Sequence, residues 1–273
     1  MGASQPLSKY EQESASSAQE IILSIRGITL RFGGIVALED VTFDVPRGVI
    51  CGLIGPNGAG KTAFFNCISG LYRPNSGSII YEGTNLLDLP KYRIAELGIG
   101  RTFQNLALFP TMSVRRNIMV GGHSHTRGGF LSDAFRLPLA SKEERQLDGI
   151  AQRLMKELEL EDVAENIVSD LPFGTKKRVE LARALAGQPK LLILDEPAGG
   201  LNHEEVSRLR EVILHIRDEY KITILLVEHH MSLVMKVSDK VVVLNFGKKI
   251  ADGLPDEVCR NSEVICAYLG AEK

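Results

Sequence analysis

Apolar and polar positions alternate at the start of the ordered part of the chain. Ile22, Leu23, Ile25, Ile28, Leu30 and Phe32 recur in rough alternation, and Val41, Phe43 and Val45 alternate more strictly. Both patterns predict half-buried β-strands, closed by a turn at Pro46-Arg47-Gly48. Val49–Ile54 is instead an unbroken apolar run entering a glycine-rich turn, as a strand buried on both faces would be. Lys61 to Ser69 reads as a helix stopped by Gly70. Residues 105–170 change to a helical period. Ser141 and Glu144 have capping-box spacing, and Leu147, Ile150, Leu154 and Leu158 follow on one face. The stretch His123 to Gly129 is polar and glycine-rich and predicts a loop. From residue 190 onward, buried strands (Leu191–Leu194, Ile222–Val227, Val241–Asn245) alternate with helices. One helix opens on an Asn202/Glu205 capping box and turns Val206, Leu209, Val212, Ile213 and Ile216 inward. A last helix carries Val264, Ile265, Tyr268 and Leu269 toward the core. This alternation predicts an α/β fold with a parallel sheet covered by helices on both faces. No internal repeat is visible.

Composition narrows this picture more than it adds to it. The 273 residues support a full hydrophobic core, and a net charge of −2 gives no global attraction to nucleic acid or to an anionic membrane. Cys51, Cys67, Cys259 and Cys266 form no CxxC pair and lack zinc-ligand spacing. Reduced, mostly buried thiols of a cytosolic protein are expected. His123 and His125 are expected to be solvated loop residues and not metal ligands. Residues 1–20 are polar and predict a disordered leader, with no apolar core of a signal peptide. Met1-Gly2 does not start a myristoylation motif, because Pro6 stands where Ser or Thr is required. No apolar run reaches the ~20 residues needed to span a bilayer, so a membrane role would require a partner.

Two short segments carry the chemistry. Gly55-Pro56-Asn57-Gly58-Ala59-Gly60-Lys61-Thr62 satisfies the GxxxxGK[ST] phosphate-loop pattern, between a strand and a helix. Its glycines let backbone N–H groups turn toward a β-phosphate, and the following helix aims its positive end at the same place. Lys61 can reach the β- and γ-phosphates, and the Thr62 hydroxyl can ligate Mg²⁺. Leu191-Leu192-Ile193-Leu194-Asp195-Glu196 supplies two carboxylates at the C-terminal end of a buried strand, the edge at which open α/β sheets bind ligands. Neighbouring strand residues face opposite sides, so the two acids can differ in role. Asp195 would hold Mg²⁺, and Glu196 would orient or deprotonate an attacking water.

With these segments in place, the chain from residue 22 onward resembles the ATP-binding subunits of ABC transporters. Phe32 lies where such proteins stack an aromatic on adenine. Gln104, in Arg101-Thr102-Phe103-Gln104, is similar to their Q-loop glutamine, which joins the Mg²⁺ shell. Leu171–Thr175 occupies the place of their signature loop, Gly200-Leu201-Asn202 that of the D-loop, and His229 that of the switch histidine at the γ-phosphate. The resemblance implies a P-loop, RecA-like ATPase core with a parallel sheet, an N-terminal antiparallel β subdomain and an inserted α-helical subdomain. It implies one domain over 21–273, in which 21–104 and 185–273 form the β subdomain and nucleotide core, and 105–184 the helical subdomain with the signature loop. ATP and Mg²⁺ are the implied cofactors. The implied partners are two transmembrane permease subunits, a second ATP-binding subunit and, indirectly, an exported solute-binding protein, at the cytoplasmic face of the membrane and without nucleic acid.

Arg31-Phe32-Gly33-Gly34, Gly98–Gln104, Glu228-His229, Asn245-Phe246-Gly247, Asp252-Gly253 and Ala267-Tyr268-Leu269-Gly270 further resemble the ATPase subunit of high-affinity branched-chain amino-acid importers. Related ATPases serve urea and amide importers and lipopolysaccharide exporters, and these remain alternatives. A non-transport ABC ATPase, a P-loop small-molecule kinase and a non-catalytic subunit are more distant ones. Three departures stand out. The signature reads Leu171-Pro172-Phe173-Gly174-Thr175 in place of LSGGQ, so Gly174 and Thr175 remain as donors to the γ-phosphate held by the opposing subunit, while Pro172 has no N–H. This change favours a different chain as the second ATPase. Thr175 is expected to cap a helix whose first turn (Lys176, Lys177, Arg178) forms an anion trap. Ala63 and His230 replace a hydroxyl and an acid common in the family.

Overall fold

The computed structural model describes residues 20–102, 106–123 and 138–269. Strands β1 (Ile21–Phe32) and β2 (Ile35–Pro46) form a long antiparallel hairpin, extended by β4 (Ser76–Tyr81) and β5 (Thr84–Asn85) in the order β2-β1-β4-β5. The second sheet has the order β10-β9-β3-β8-β7-β6. It contains β3 (Ile50–Ile54), β6 (Ile99–Arg101), β7 (Leu191–Asp195), β8 (Thr223–Val227), β9 (Lys240–Asn245) and β10 (Lys248–Gly253). All its pairings are parallel except that of β10 with β9. Helices α1 (Lys61–Ile68), α2 (Lys91–Glu96), α3 (Val114–Gly121), α4 (Pro138–Glu157), α5 (Phe173–Ala186), α6 (His203–Tyr220), α7 (Met231–Val237), α8 (Pro255–Arg260) and α9 (Ser262–Leu269) complete the fold.

The parallel sheet separates two cores, and the two-residue period of each strand decides which core a side chain enters. Ile50, Ile54, Leu192, Leu194, Ile224, Leu226, Val241 and Val243 face one core, with Ile118, Leu154, Leu185, Ile213 and Val234 from helices α3 to α7. Cys51, Leu53, Leu191, Ile193, Leu225, Val227, Val242 and Leu244 face the other, with Phe64, Phe65 and Ile68 of α1 and the inner face of the β1–β2 hairpin. Each such aliphatic or aromatic side chain contributes roughly 1.5–3 kcal/mol by leaving water. The expected α/β sandwich is thus present, with strand limits shifted by a residue at Ile50, Thr223 and Lys240.

Several local expectations need correction. Helix α5 begins at Phe173, with Pro172 as its cap at φ −57°, ψ 152°, so Thr175 lies inside the first turn and is not the cap. Helix α4 begins at Pro138, three residues before Ser141. The stretch assigned a helical character also contains the irregular run 106–112, two 3-10 turns (Glu161–Val163, Val168–Asp170) and a lone bridge between Ser113 and Ile167. Val264 is buried but Ile265 is exposed, so α9 docks through Val264 and Tyr268; the Leu269 side chain lies outside the described part of the chain. Cys259 and Cys266 are exposed, so only Cys51 and Cys67 fit the expectation of buried thiols; burial pushes both of these up to about 12. Residues 1–19, Gln104, His125 and Gly270 lie outside the described residues. His123 is exposed.

Candidate functional site

The phosphate loop leaves β3 at Ile54 and enters α1 at Lys61, in the strand–turn–helix order that its chemistry requires. Two glycines make the turn possible. Gly55 has φ 155°, and a Cβ there would run into the Leu244 carbonyl of β9; Gly60 has φ 102°, and its Cβ would lie 2.6 Å from the Ala37 carbonyl. No side chain caps α1 at Gly60, so its first amides are available to an anion. Asn57 and Gly58 are exposed, while Ala59 is anchored in the core. The Lys61 ammonium is buried and donates to the Gly55 and Pro56 carbonyls at 2.6 and 3.0 Å. Burial lowers its pKa, and Glu196 and Asp195 oppose that shift. The amine therefore already lies within the field of both carboxylates at the end of β7.

Those carboxylates are held differently. Asp195 is buried and paired with Arg101, whose Nη2 lies 3.2 Å from Oδ2; the side chains are 7% and 11% exposed. Burial raises the Asp195 pKa, and the Arg101 bond pulls it down. Arg101 also donates through Nη1 to Ser69 Oγ at 2.7 Å and to Asn66 Oδ1 at 3.3 Å, while its guanidinium lies 5.7 Å from the Phe65 ring centroid. It thereby ties the end of β6 to α1 and β7. Glu196 has φ 47°, a left-handed conformation uncommon for a residue with a side chain. Its N–H donates to the Val227 carbonyl at 2.9 Å, and Gly199 N–H returns to its own carbonyl at 3.1 Å. His229 Nδ1 stands 3.9 Å from Glu196 Oε2, beyond hydrogen-bond range but close enough to share a ligand. Both side chains are open to solvent, unlike Asp195.

Phe32 is half exposed at the tip of the β1–β2 hairpin, and its ring meets Tyr72 edge-on at 5.0 Å between centroids. The aromatic surface expected from Phe32 alone is thus a pair. The loop and acids of β3 and β7 are brought together with Lys61, while Gly174 and Thr175 start α5 at a separate surface beside Glu205. The anion trap expected there is not formed. Lys176 donates to the Ser169 carbonyl at 2.8 Å, and Arg178 to the Leu158 and Glu159 carbonyls at 3.1 and 3.2 Å. Lys177 lies 5.6 Å from the Phe173 ring centroid. These cations close the chain around the helical layer, which offsets their unfavourable place at a helix N-terminus. Sequence reasoning missed Arg101, Tyr72 and Glu228. An arginine closing a short Ile99-Gly100-Arg101 run, three residues before Gln104, is the available signal for Arg101.

Mg²⁺ fits the donor set that is described. Thr62 offers an exposed hydroxyl and Asp195 a buried carboxylate, both hard oxygen donors of the kind this ion takes. Lys61→Ala is expected to weaken nucleotide binding by roughly ten- to a hundredfold, the loss of a charge-assisted bond. Titration with a fluorescent ATP analogue measures it, and unchanged affinity would remove Lys61 from the phosphate site.

Comparison with known proteins agrees with this geometry. The family profile described as ABC transporter matches residues 38–199, and one described as branched-chain amino acid ATP-binding cassette transporter matches residues 248–273. The chain is 41% identical over 249 residues to the high-affinity branched-chain amino acid transport ATP-binding protein BraF of Pseudomonas aeruginosa, covering 91% of this chain and 98% of BraF. It is 40% identical to LivG of Escherichia coli over the same shares. Among solved structures, an ATP-binding cassette of an ABC transporter in its ADP conformation superposes with a TM-score of 0.78 at 28% identity, over 92% of this chain and 99% of that one. CbiO1 of Clostridium perfringens, part of an ABC transporter complex, gives 0.77 at 26% identity, over 93% and 96%. The phosphate loop, the acid pair and the two-sheet architecture thus belong to one machine, and the chain is a nucleotide-binding, ATP-hydrolysing cassette of the ABC transporter family.

Proposed function

We propose that the chain powers the uptake of branched-chain amino acids, as the ATP-binding subunit of an importer. One observation carries the substrate class: the likeness to BraF and LivG runs almost the whole length of both relatives and continues into the C-terminal segment that has its own branched-chain profile. In this reading two cassettes close head to tail on two ATP molecules. The loop Gly55–Thr62 of one faces Gly174 and Thr175 of the other. Lys61 holds the β- and γ-phosphates and stabilises the charge that develops there. Glu196 orients the attacking water and accepts its proton, and His229 contacts the γ-phosphate. Phe32, with Tyr72, stacks on the adenine. Mg²⁺, held by Thr62, Asp195 and Gln104, would neutralise phosphate charge. The altered signature at Pro172 and Phe173 favours a different chain as the second cassette.

Among the described residues no helix is long and apolar enough to cross a membrane, and in this reading the link to a permease is made at a surface. The run Leu108-Phe109-Pro110-Thr111-Met112 offers one at the cytoplasmic face of the membrane. Phe109 is exposed, with the Arg183 guanidinium 5.9 Å from its ring centroid. The loop is fixed by buried Asn117, which accepts from Phe109 N–H at 2.9 Å and donates to the Phe109 and Ser113 carbonyls, both at 3.1 Å. Phe109→Asp is expected to leave the ATPase activity of the isolated chain unchanged and to abolish co-purification with membrane subunits. Retained co-purification would move the docking surface elsewhere.

The substrate is tested by uptake. Cells lacking this chain should lose import of labelled leucine, isoleucine and valine while retaining urea import. The opposite pattern would overturn the amino-acid reading in favour of a urea importer.

A further inference from the structure

Glu228 is fully buried, directly before the switch histidine, and has no assigned part in the reaction. A buried carboxylate is tolerated only when its oxygens are fully engaged. Glu228 meets that requirement by joining two separate segments. Its Oε1 accepts from the Ala198 N–H at 2.7 Å. Its Oε2 accepts from the His229 N–H at 3.1 Å, the His230 N–H at 3.3 Å and the His230 Nδ1 at 3.0 Å. The Glu228 carboxylate and the His230 imidazole thus share one hydrogen bond beside the backbone amides that both oxygens receive. The His230 ring in turn lies against the His229 ring, with centroids 4.4 Å apart. Glu228, His229 and His230 place their ligand atoms within 4.8 Å of one another, but the bonds to Glu228 already occupy both its oxygens, and a metal there would displace them.

Ala198 opens the segment that runs through Gly200-Leu201-Asn202 to α6, and Glu196 stands two residues before it. Glu228 therefore bridges the turn that carries the proposed base to the turn that carries His229. We propose that Glu228 is a positioning residue: with His230 it forms a strut that fixes His229 relative to residues 196–202, so that a displacement of that segment by a facing cassette is passed to the γ-phosphate contact. This gives His230, which departs from the family's acid, a role as the strut's outer member. The proposal rests on the hydrolytic reading of Glu196 and His229 given above.

Glu228→Gln tests it at one end. The carboxamide oxygen can still accept from Ala198, but its NH₂ then faces the His229 and His230 N–H donors, which frees the switch turn alone. In steady-state hydrolysis by the full chain, kcat should fall about ten- to a hundredfold, as for a catalytic group shifted by about 1 Å. Affinity for the fluorescent ATP analogue should stay within about twofold, because the phosphate loop is untouched. A parallel loss of kcat, nucleotide affinity and melting temperature would make Glu228 a structural residue only and overturn the proposal, as would an unchanged kcat. His230→Ala, at a half-exposed position that tolerates truncation, guards against misfolding of the buried variant. Its kcat should fall several-fold with affinity intact, and an unchanged value would remove His230 from the strut. Glu196→Gln is the control. If it is inactive while both strut variants are normal, the strut fails and the hydrolytic reading stands; if it is fully active, that reading itself fails.

Discussion

Glu196→Gln is expected to lower ATP turnover by about 10²–10⁴-fold while nucleotide affinity changes little, because in the proposed role the carboxylate is the general base. The substitution keeps the size of the side chain and one carbonyl acceptor, so water can still be held but not deprotonated. The surroundings favour a clean result. The backbone N–H of Glu196 is bound to Val227 and its carbonyl to Gly199, and the substitution leaves both of these bonds in place. Phosphate release measured alongside an ATP-analogue titration separates the two quantities. Turnover near the parent value would assign the base elsewhere, and His229, 3.9 Å away, would be the first residue to test.

Arg101→Leu is expected to destabilise the metal-free protein by roughly 3–5 kcal/mol, the range for stranding one member of a buried ion pair. Asp195 would be left nearly sealed from water without its cation, and Ser69 and Asn66 would lose a shared donor. The urea midpoint without metal or nucleotide measures this. Adding Asp195→Asn to the same chain should recover a large part of the loss, because the stranded charge disappears, and Mg²⁺ with ATP should recover part of it in the single variant. A small effect that neither addition changes would mean that the pair is solvated and of little consequence. The pair also bears on metal binding. Asp195 already has a cation, so a divalent ion must share this carboxylate with Arg101 or take its place.

Strands β3, β7, β8 and β9 are readable because buried parallel strands are nearly pure aliphatic runs, and Leu191–Leu194 is one of them, whereas the short β6 and the partly exposed β10 give no such run. The Asn202/Glu205 box was readable because its partners are three residues apart; both reciprocal bonds form, at 3.0 and 2.9 Å. The starts of α4 and α5 were missed for a shared reason. A side-chain oxygen is the usual cap signal, present at Ser141 and Thr175, whereas α4 starts on Pro138 and α5 follows Pro172 as its cap. Lys61 is legible in the phosphate-loop pattern and Asp195 and Glu196 at the end of a buried strand, while His229 is legible only through the family resemblance. Their supports are not. Arg101 reaches Asp195 across 94 residues and Glu228 reaches Ala198 across 30, and no local period records such a pairing. The basic run Lys176–Arg178 misled in the opposite sense, because charge in a sequence does not reveal which carbonyls will receive it.

Asn117 has a consequence for mechanical coupling. A side-chain amide with no exposure holds both edges of the Phe109–Ser113 loop, so the loop is ordered before anything binds to it. A partner that seats on Phe109 does not have to freeze it, and little binding free energy is lost to ordering. When a permease seats on Phe109 as proposed, a push there meets helix α3 directly through the bonds of Asn117, in the manner of a lever arm and not a spring.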